Sequence, residues 1–283
     1  MKDGDPMNEF KDKIAIVTGA ASGIGRALSI EMDRAGATVI MADIDRDGLA
    51  RLASETTGDH SRALYLDVSK AEEVKALINK VVLEHGRLDL IFNNAGIAVA
   101  GEARDLSLDH WRRVIDVNLL GVVYGTHAAY SVMARQGFGH IVNTASLAGL
   151  IGGPTMIPYA ATKHAVVGLS KSLRVEAEDL GVKVSVICPG FIQTGIFDAA
   201  TYVYADQKEM EARLPFKPMD VNAAARIILR GVARNKAMIV FPFYSRLLWW
   251  LLRIHDSLLN PLSRKTVKEF RAARTEARAK GMY

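Results

Sequence analysis

The sequence predicts an α/β fold, a seven-stranded parallel sheet covered on both faces by helices, followed by an amphipathic helical extension. Three observations lead there. Short strand-like runs alternate with stretches of helical period seven times. Helical stretches stop at glycine, as at Gly36. No repeat, low-complexity segment or linker interrupts the series, so one domain is the simplest division.

The elements follow in order. "KIAIVTG" (13–19) is a β-branched run ending in glycine, and "RALSIEMDRAG" continues it as a helix. "TVIMAD" is strand-like, "DGLARLASETTG" helical and "RALYLDV" strand-like again. "EEVKALINKVVLEHG" places Val74, Leu77, Ile78, Val81 and Val82 on one helical face. "LDLIFNNAG" is a buried strand running into a turn, and a long helix is expected from Leu108 to Arg135. "GHIVNTAS", a helix over 159–180, "VKVSVICPG", a helix over 221–234 and "AMIVFP" complete the alternation. Residues 195–220 show no clear period and are expected to form a mobile flap. The reading divides the chain into a disordered lead (1–10), a single sheet domain (11–242) and a helical extension with a basic tail (243–283).

Composition narrows the function classes. Of 283 residues, 49% are apolar and 24% charged, an ordinary globular balance that needs no disulfide or metal staple. The single cysteine, Cys188, excludes an intrachain disulfide, and no His/Cys cluster has metal-ligand spacing. The start lacks the apolar run of a signal peptide, and no stretch approaches the ~20 apolar residues of a spanning helix. A cytoplasmic protein, at most peripheral to a membrane, is the expectation. From Ser263 onward seven Lys or Arg face two Glu, which accounts for the whole net charge of +5. A solvated basic helix is the plain reading of that tail, with anionic lipid or an acidic partner the alternative. Nucleic-acid binding is not expected, because the charge is not interleaved with aromatics on a folded face.

Two regions carry chemistry. "TGAASGIG" (18–25) follows the first strand and opens the first helix. Its glycines Gly19, Gly23 and Gly25 permit a tight turn and close approach of backbone to a pyrophosphate at the helix N-terminus. Asp43 closes the second strand, where a carboxylate accepts hydrogen bonds from ribose hydroxyls and repels a 2′-phosphate. This favours NAD, while Arg46 keeps NADP open. Asp67 is expected near the adenine, and Asn94, Ala95 and Gly96 near the adenine-side ribose. In "YAATK", Tyr159 and Lys163 stand four apart on one helical face. A lysine ammonium there favours the phenolate over a phenol whose free pKa is ~10. Ser146 ends the strand upstream and can donate a hydrogen bond to a carbonyl oxygen. Asn118, inside the long helix, would bend or hydrate it locally. His127, His140 and His164 read as surface or packed histidines.

Taken together, "TGAASGIG", "NNAG", Asn118, Ser146, "YAATK" and "PGFIQT" resemble the short-chain dehydrogenase/reductase family in order and spacing, over residues 11–242. The resemblance implies a Rossmann-type, doubly wound sheet and an NAD(P)-dependent alcohol–carbonyl oxidoreductase, usually a dimer or tetramer. It implies Tyr159 as general acid/base, Ser146 as the group polarising the substrate oxygen, Lys163 on the nicotinamide ribose and Asn118 holding a water of the proton relay. Cofactor contacts are implied for Gly19, Ser22, Gly23, Ile24, Gly25, Asp43, Ile44, Asp67, Val68, Asn94, Ala95, Gly96, Tyr159 and Lys163. Pro189, Gly190, Ile192 and Thr194 would border the nicotinamide.

Substrate identity is less legible. Phe197, Tyr202, Tyr204, Met210, Leu214 and Phe216 in the flap point to a lipophilic ligand. In the extension, "SRLLWWLLRIHDSLLNPL", Leu247, Trp250, Leu251, Ile254 and Leu258 form a stripe that Leu248, Leu252 and Leu259 widen to an apolar sector of roughly 200°. Arg246 and Arg253 bracket only six apolar residues, too few to span a bilayer. The helix is expected to pack beside the substrate mouth or on a partner subunit, with a membrane interface as the alternative.

Overall fold

A computed structural model describes residues 5–56, 60–196, 199–212 and 215–279. Its strands are β1 (Ile14–Thr18), β2 (Thr38–Asp43), β3 (Arg62–Tyr65), β4 (Leu90–Asn93), β5 (Val99–Ala100), β6 (Gly139–Thr144), β7 (Val182–Pro189), β8 (Thr201–Tyr202) and β9 (Met238–Phe241). Helices α1 (Gly23–Arg34), α2 (Arg46–Glu55), α3 (Ala71–His85), α4 (Leu108–Ile115), α5 (Gly121–Gln136) and α6 (Ile157–Glu176) cover the sheet. They are joined by α7 (Gln207–Ala212), α8 (Val221–Ala233), α9 (Phe243–Ile254) and α10 (Asn260–Ala279).

Seven strands pair in the order β3-β2-β1-β4-β6-β7-β9, all parallel, as the alternation predicts. Period two divides the core between the faces. Ala15 and Val17 of β1 join Leu28, Met32, Phe92 and Ile228 on one side, while Ile16 joins Ile78, Ile91, Ile141 and Val184 on the other. Chain order reverses between β1 and β4, so the loops leaving these strands diverge and open a crevice at their C-terminal ends.

Four local features differ from the sequence expectation. Pro6–Phe10 of the supposed disordered lead forms a 3₁₀ helix whose Phe10 is buried in the core; residues 1–4 lie outside the described residues. The long helix over 108–135 is interrupted by a π-helical turn, Asp116–Leu120, centred on Asn118. The flap is anchored rather than featureless. Its β8 pairs with β5, Ile192 bridges to Met219, and α7 crosses it, whereas Phe197 and Leu214 lie outside the described residues.

The fourth concerns the extension. On the single chain the stripe is open: Leu247, Trp250, Ile254 and Leu258 are 44–58% exposed. Leu248 and Leu252 turn inward instead, Leu259 is buried, and Trp249 packs beside Val240 on β9. A sector of 200° has no single centre for the period to select, so tertiary contacts decide which edge is covered. Arg246 Nε fixes the rotation by donating to the Val240 carbonyl at 2.7 Å. Among the described residues no helix is long and apolar enough to cross a membrane.

Candidate active site

A cleft of about 1480 Å³ runs along the C-terminal ends of the strands. Pockets for one small ligand span roughly 300–1,000 Å³, so this cleft has room for two. Gly19, Ser22, Gly23, Ile24, Asp43, Ile44, Asp67, Val68, Asn94, Ala95 and Gly96 line one part of it. Ser146, Tyr159, Lys163, Pro189, Gly190, Ile192 and Thr194 line another. Of the catalytic and cofactor residues that the family resemblance implies, Gly25 and Asn118 do not line it, and each shapes it from behind.

The nucleotide end is a backbone cradle. Gly19 sits at φ +66°, and a Cβ there would meet Ala95 Cα at 2.7 Å. At Gly25 a Cβ would run into the Gly19 carbonyl oxygen, so this residue allows helix and turn to close on each other. Ser22 at the start of α1 makes no side-chain cap, leaving the first N–H groups of that helix unclaimed by a cap and facing the cleft. Asn94 staples the turn. Its Nδ2 donates to Thr18 O at 3.1 Å, and its own N–H donates to Thr18 Oγ1 at 3.0 Å. Asp43 is held at the cleft edge by the N–H groups of Ala21 (2.9 Å) and Asp45 (3.0 Å). Arg46 does not line the cleft; its guanidinium lies 4.2 Å over the Tyr65 ring. This donor set, with a positive helix end and a carboxylate placed beyond it, fits a nicotinamide dinucleotide.

At the catalytic end, α6 presents Tyr159 and Lys163 toward Ser146 at the end of β6. The Ala148 N–H donates to Ser146 Oγ at 3.1 Å, which leaves the serine hydrogen free for the phenol or a substrate oxygen. Lys163 is almost fully buried, and its Nζ donates to the Thr144 carbonyl at 2.8 Å, 5.5 Å from the centre of the Tyr159 ring. Burial draws its ammonium down to about 8, against the opposing pull of Cys188. Burial acts on Tyr159 in the direction opposite to the lowering expected from the lysine. Burial pushes the Tyr159 phenol up, and the hydrogen bond with Ser146 opposes that only in part. Cys188 behind them is pushed up to about 12 by burial, which keeps it a thiol.

Asn118 is fully buried and spends its amide on one residue. Oδ1 accepts from Ile97 N at 2.8 Å, and Nδ2 donates to Ile97 O at 2.9 Å. It therefore holds the 94–97 turn against Lys163. Gly96 stands beside Asn118 and Lys163, since a Cβ on it would lie 3.4 Å from Asn118 Oδ1 and 3.5 Å from Lys163 Nζ.

Sequence reasoning missed several contributors. Thr18 and Thr144 are visible in the motifs but acquire roles only through the pairing of β1, β4 and β6. Tyr244 carries no local signal at all. Its hydroxyl accepts from Phe191 N at 2.7 Å, and its ring stacks on Phe216 of the flap at 4.0 Å and 7°. One side chain thus ties the extension, the flap and the loop after β7 together.

The family model described as short chain dehydrogenase matches residues 13–203. The chain belongs to the short-chain dehydrogenase/reductase family. Among relatives in this family, the putative oxidoreductase SadH of Mycobacterium tuberculosis is 35% identical over 271 residues, covering 93% of this chain and 98% of that one. A cyclohexanol dehydrogenase of Acinetobacter sp. is 38% identical over 190 residues, 66% of this chain and 76% of that one. Among solved structures, a short-chain dehydrogenase/reductase from Burkholderia phymatum in complex with NAD is similar with TM-score 0.76 and 31% identity, over 82% of this chain and 89% of that one. A short-chain dehydrogenase from Streptomyces avermitilis reaches TM-score 0.78 at 27% identity, over 90% and 98%. The protein is an oxidoreductase of the kind acting on CH–OH donors.

Proposed function

We propose that the protein interconverts a lipophilic alcohol and its carbonyl with NAD as the preferred cofactor. The observation that carries this reading is the convergence of Ser146, Tyr159 and Lys163 on one cleft with the glycine cradle and Asp43. The likeness to an NAD complex and to a cyclohexanol dehydrogenase supports it. The glycine cradle, Asp43 and Lys163 would hold a nicotinamide dinucleotide, which would supply the hydride acceptor or donor.

The remaining work falls to this chain's own groups. In oxidation, the Tyr159 phenolate takes the hydroxyl proton; in reduction, the phenol returns it to the carbonyl oxygen. Ser146 Oγ donates a hydrogen bond to that oxygen as charge develops on it. Lys163, held by Thr144, supplies positive potential beside the phenol and a donor for the nicotinamide ribose. Asn118 keeps the 94–97 turn in register with Lys163.

Two observations support NAD over NADP. Asp43 stands where a 2′-phosphate would add negative charge, and Arg46 is turned onto Tyr65. Initial rates with each cofactor on one alcohol test this. The expected result is at least tenfold better kcat/KM with NAD⁺, and a Asp43→Ala variant should narrow that gap. Tenfold preference for NADP⁺ in the unaltered protein would reverse the assignment.

A further inference from the structure

The cleft does not end at the reacting groups. Leu248 and Leu252, one turn apart on α9, line it together with Leu259, just before α10, and Leu262 in its first turn. Met210 and Phe216 of the flap line the same cleft. The charged groups at this end are engaged with neighbours: Lys265 pairs with Glu269 at 3.7 Å, and Glu211 accepts from Gln207 at 2.9 Å. This row of leucines with Met210 and Phe216, running past the polar Asn260, Ser263 and Thr266 of α10, offers an aliphatic chain apolar contact along the cleft.

The wall that closes this region is pinned by charges lying outside it. Glu102, after β5, accepts from Arg271 through Oε1 at 2.8 Å and from Arg274 through Oε2 at 2.9 Å. Asp105 takes Arg274 in a two-point fork at 2.6 and 3.1 Å. The Arg274 guanidinium also lies 5.1 Å over the Tyr204 ring in the flap. Phe270 and Ala273, on the same stretch of α10, are fully buried. None of the four clasp residues lines the cleft. Their chemical effect must therefore pass through the position of α10 and the flap.

We infer that α9 and α10 form a distal subsite for the tail of an elongated apolar alcohol or ketone, and that the Glu102/Asp105–Arg271/Arg274 clasp holds this subsite closed. The inference rests on the dehydrogenase reading above for the reacting end of the substrate. It assigns selectivity for tail length to residues remote from the chemistry.

A homologous series of secondary alcohols, from butan-2-ol to decan-2-ol, assayed with NAD⁺ on the full chain tests it. Burying one methylene contributes about 0.8 kcal/mol, so kcat/KM should rise about fourfold per added carbon until the subsite is full. Leu248→Ala with Leu252→Ala should flatten that rise while leaving butan-2-ol within about twofold. Asp105→Asn and Arg274→Lys should raise KM for the longest alcohol about tenfold, with kcat and the short alcohol little changed. Equal losses on short and long alcohols, or no loss on either, would overturn the clasp. Calorimetric titration of the Tyr159→Phe protein, with NADH present, by the matching 2-ketones reads the subsite without turnover. A flat affinity series there would overturn the subsite. Absence of any alcohol oxidation or ketone reduction, alongside a rising affinity series, would instead sink the dehydrogenase reading alone.

Discussion

Tyr159 meets opposing influences within a few ångströms. Burial disfavours its phenolate, Ser146 donates toward it, and the Lys163 ammonium that favours it is itself weakened to about 8 by the same burial. In the proposed oxidation the proton acceptor is the phenolate, whose fraction grows with pH. Oxidative kcat/KM should therefore rise with pH across the alkaline range, and reductive kcat/KM should fall. Lys163→Met removes the positive neighbour and should displace the rise to higher pH, as rate profiles from about pH 6 to 10 would record. An unshifted profile would mean that Lys163 acts only on ribose binding. These residues were legible in the sequence because a four-residue helical spacing brings Tyr159 and Lys163 together without tertiary information. The direction of the tyrosine shift was not, because burial is a property of the packed site. Asn118 shows the same limit. Its motif marked it for the site, but its bonding to Ile97 depends on a π-helical turn that no period announces.

At the scale of elements, the sheet contains a polar seam that the packing has to satisfy. His140 on β6 lies 2.8 Å from Ser185 Oγ on β7, and Ser185 spends its own hydrogen on the Lys236 carbonyl before β9. His140 therefore donates from Nε2, and burial, which lowers its pKa to about 3 from an ordinary 6.5, keeps the ring neutral. The unfolded chain binds this proton near pH 6.5 and the folded chain does not. The contribution is thus full above pH 6.5 and lost as pH falls toward 3, by at most about 1.4 kcal/mol per pH unit. Glu102, whose arginine partners overcome the upward push of burial and hold it at about 2, weakens the fold only below the ordinary carboxylate range of 4.5. Urea midpoints between pH 4.5 and 6.5 consequently isolate the histidine. His140→Gln should flatten the dependence there; an unchanged slope would place the titration elsewhere. The seven strands themselves were readable from β-branched runs and glycine stops. The β5–β8 pair was not, since two residues carry no period and their register comes from partners about a hundred positions apart.

For the molecule as a whole, the sheet explains why distant motifs become one site. Parallel order places the ends of β1, β2, β4, β6 and β7 along one edge, where the glycine turn, Asp43, the 94–96 turn, Ser146 and the 189–194 loop meet. The extension completes the opposite wall, and that was the least legible part. Its sequence declared a wide apolar helix but not which edge faces the cleft. The Glu102–Arg271 and Glu102–Arg274 pairs span 169 and 172 residues. The basic tail, read as a solvated helix, is in part a structural partner for these acids. The proposed function as a whole stands on proton transfer by Tyr159 within a dinucleotide-dependent cleft. Comparing Tyr159→Phe with the unaltered protein, by NADH formation from an alcohol and by NAD⁺ binding, tests it most directly. The account predicts a loss of about 10²–10⁴-fold in turnover with NAD⁺ affinity preserved; turnover at the unaltered rate would contradict it.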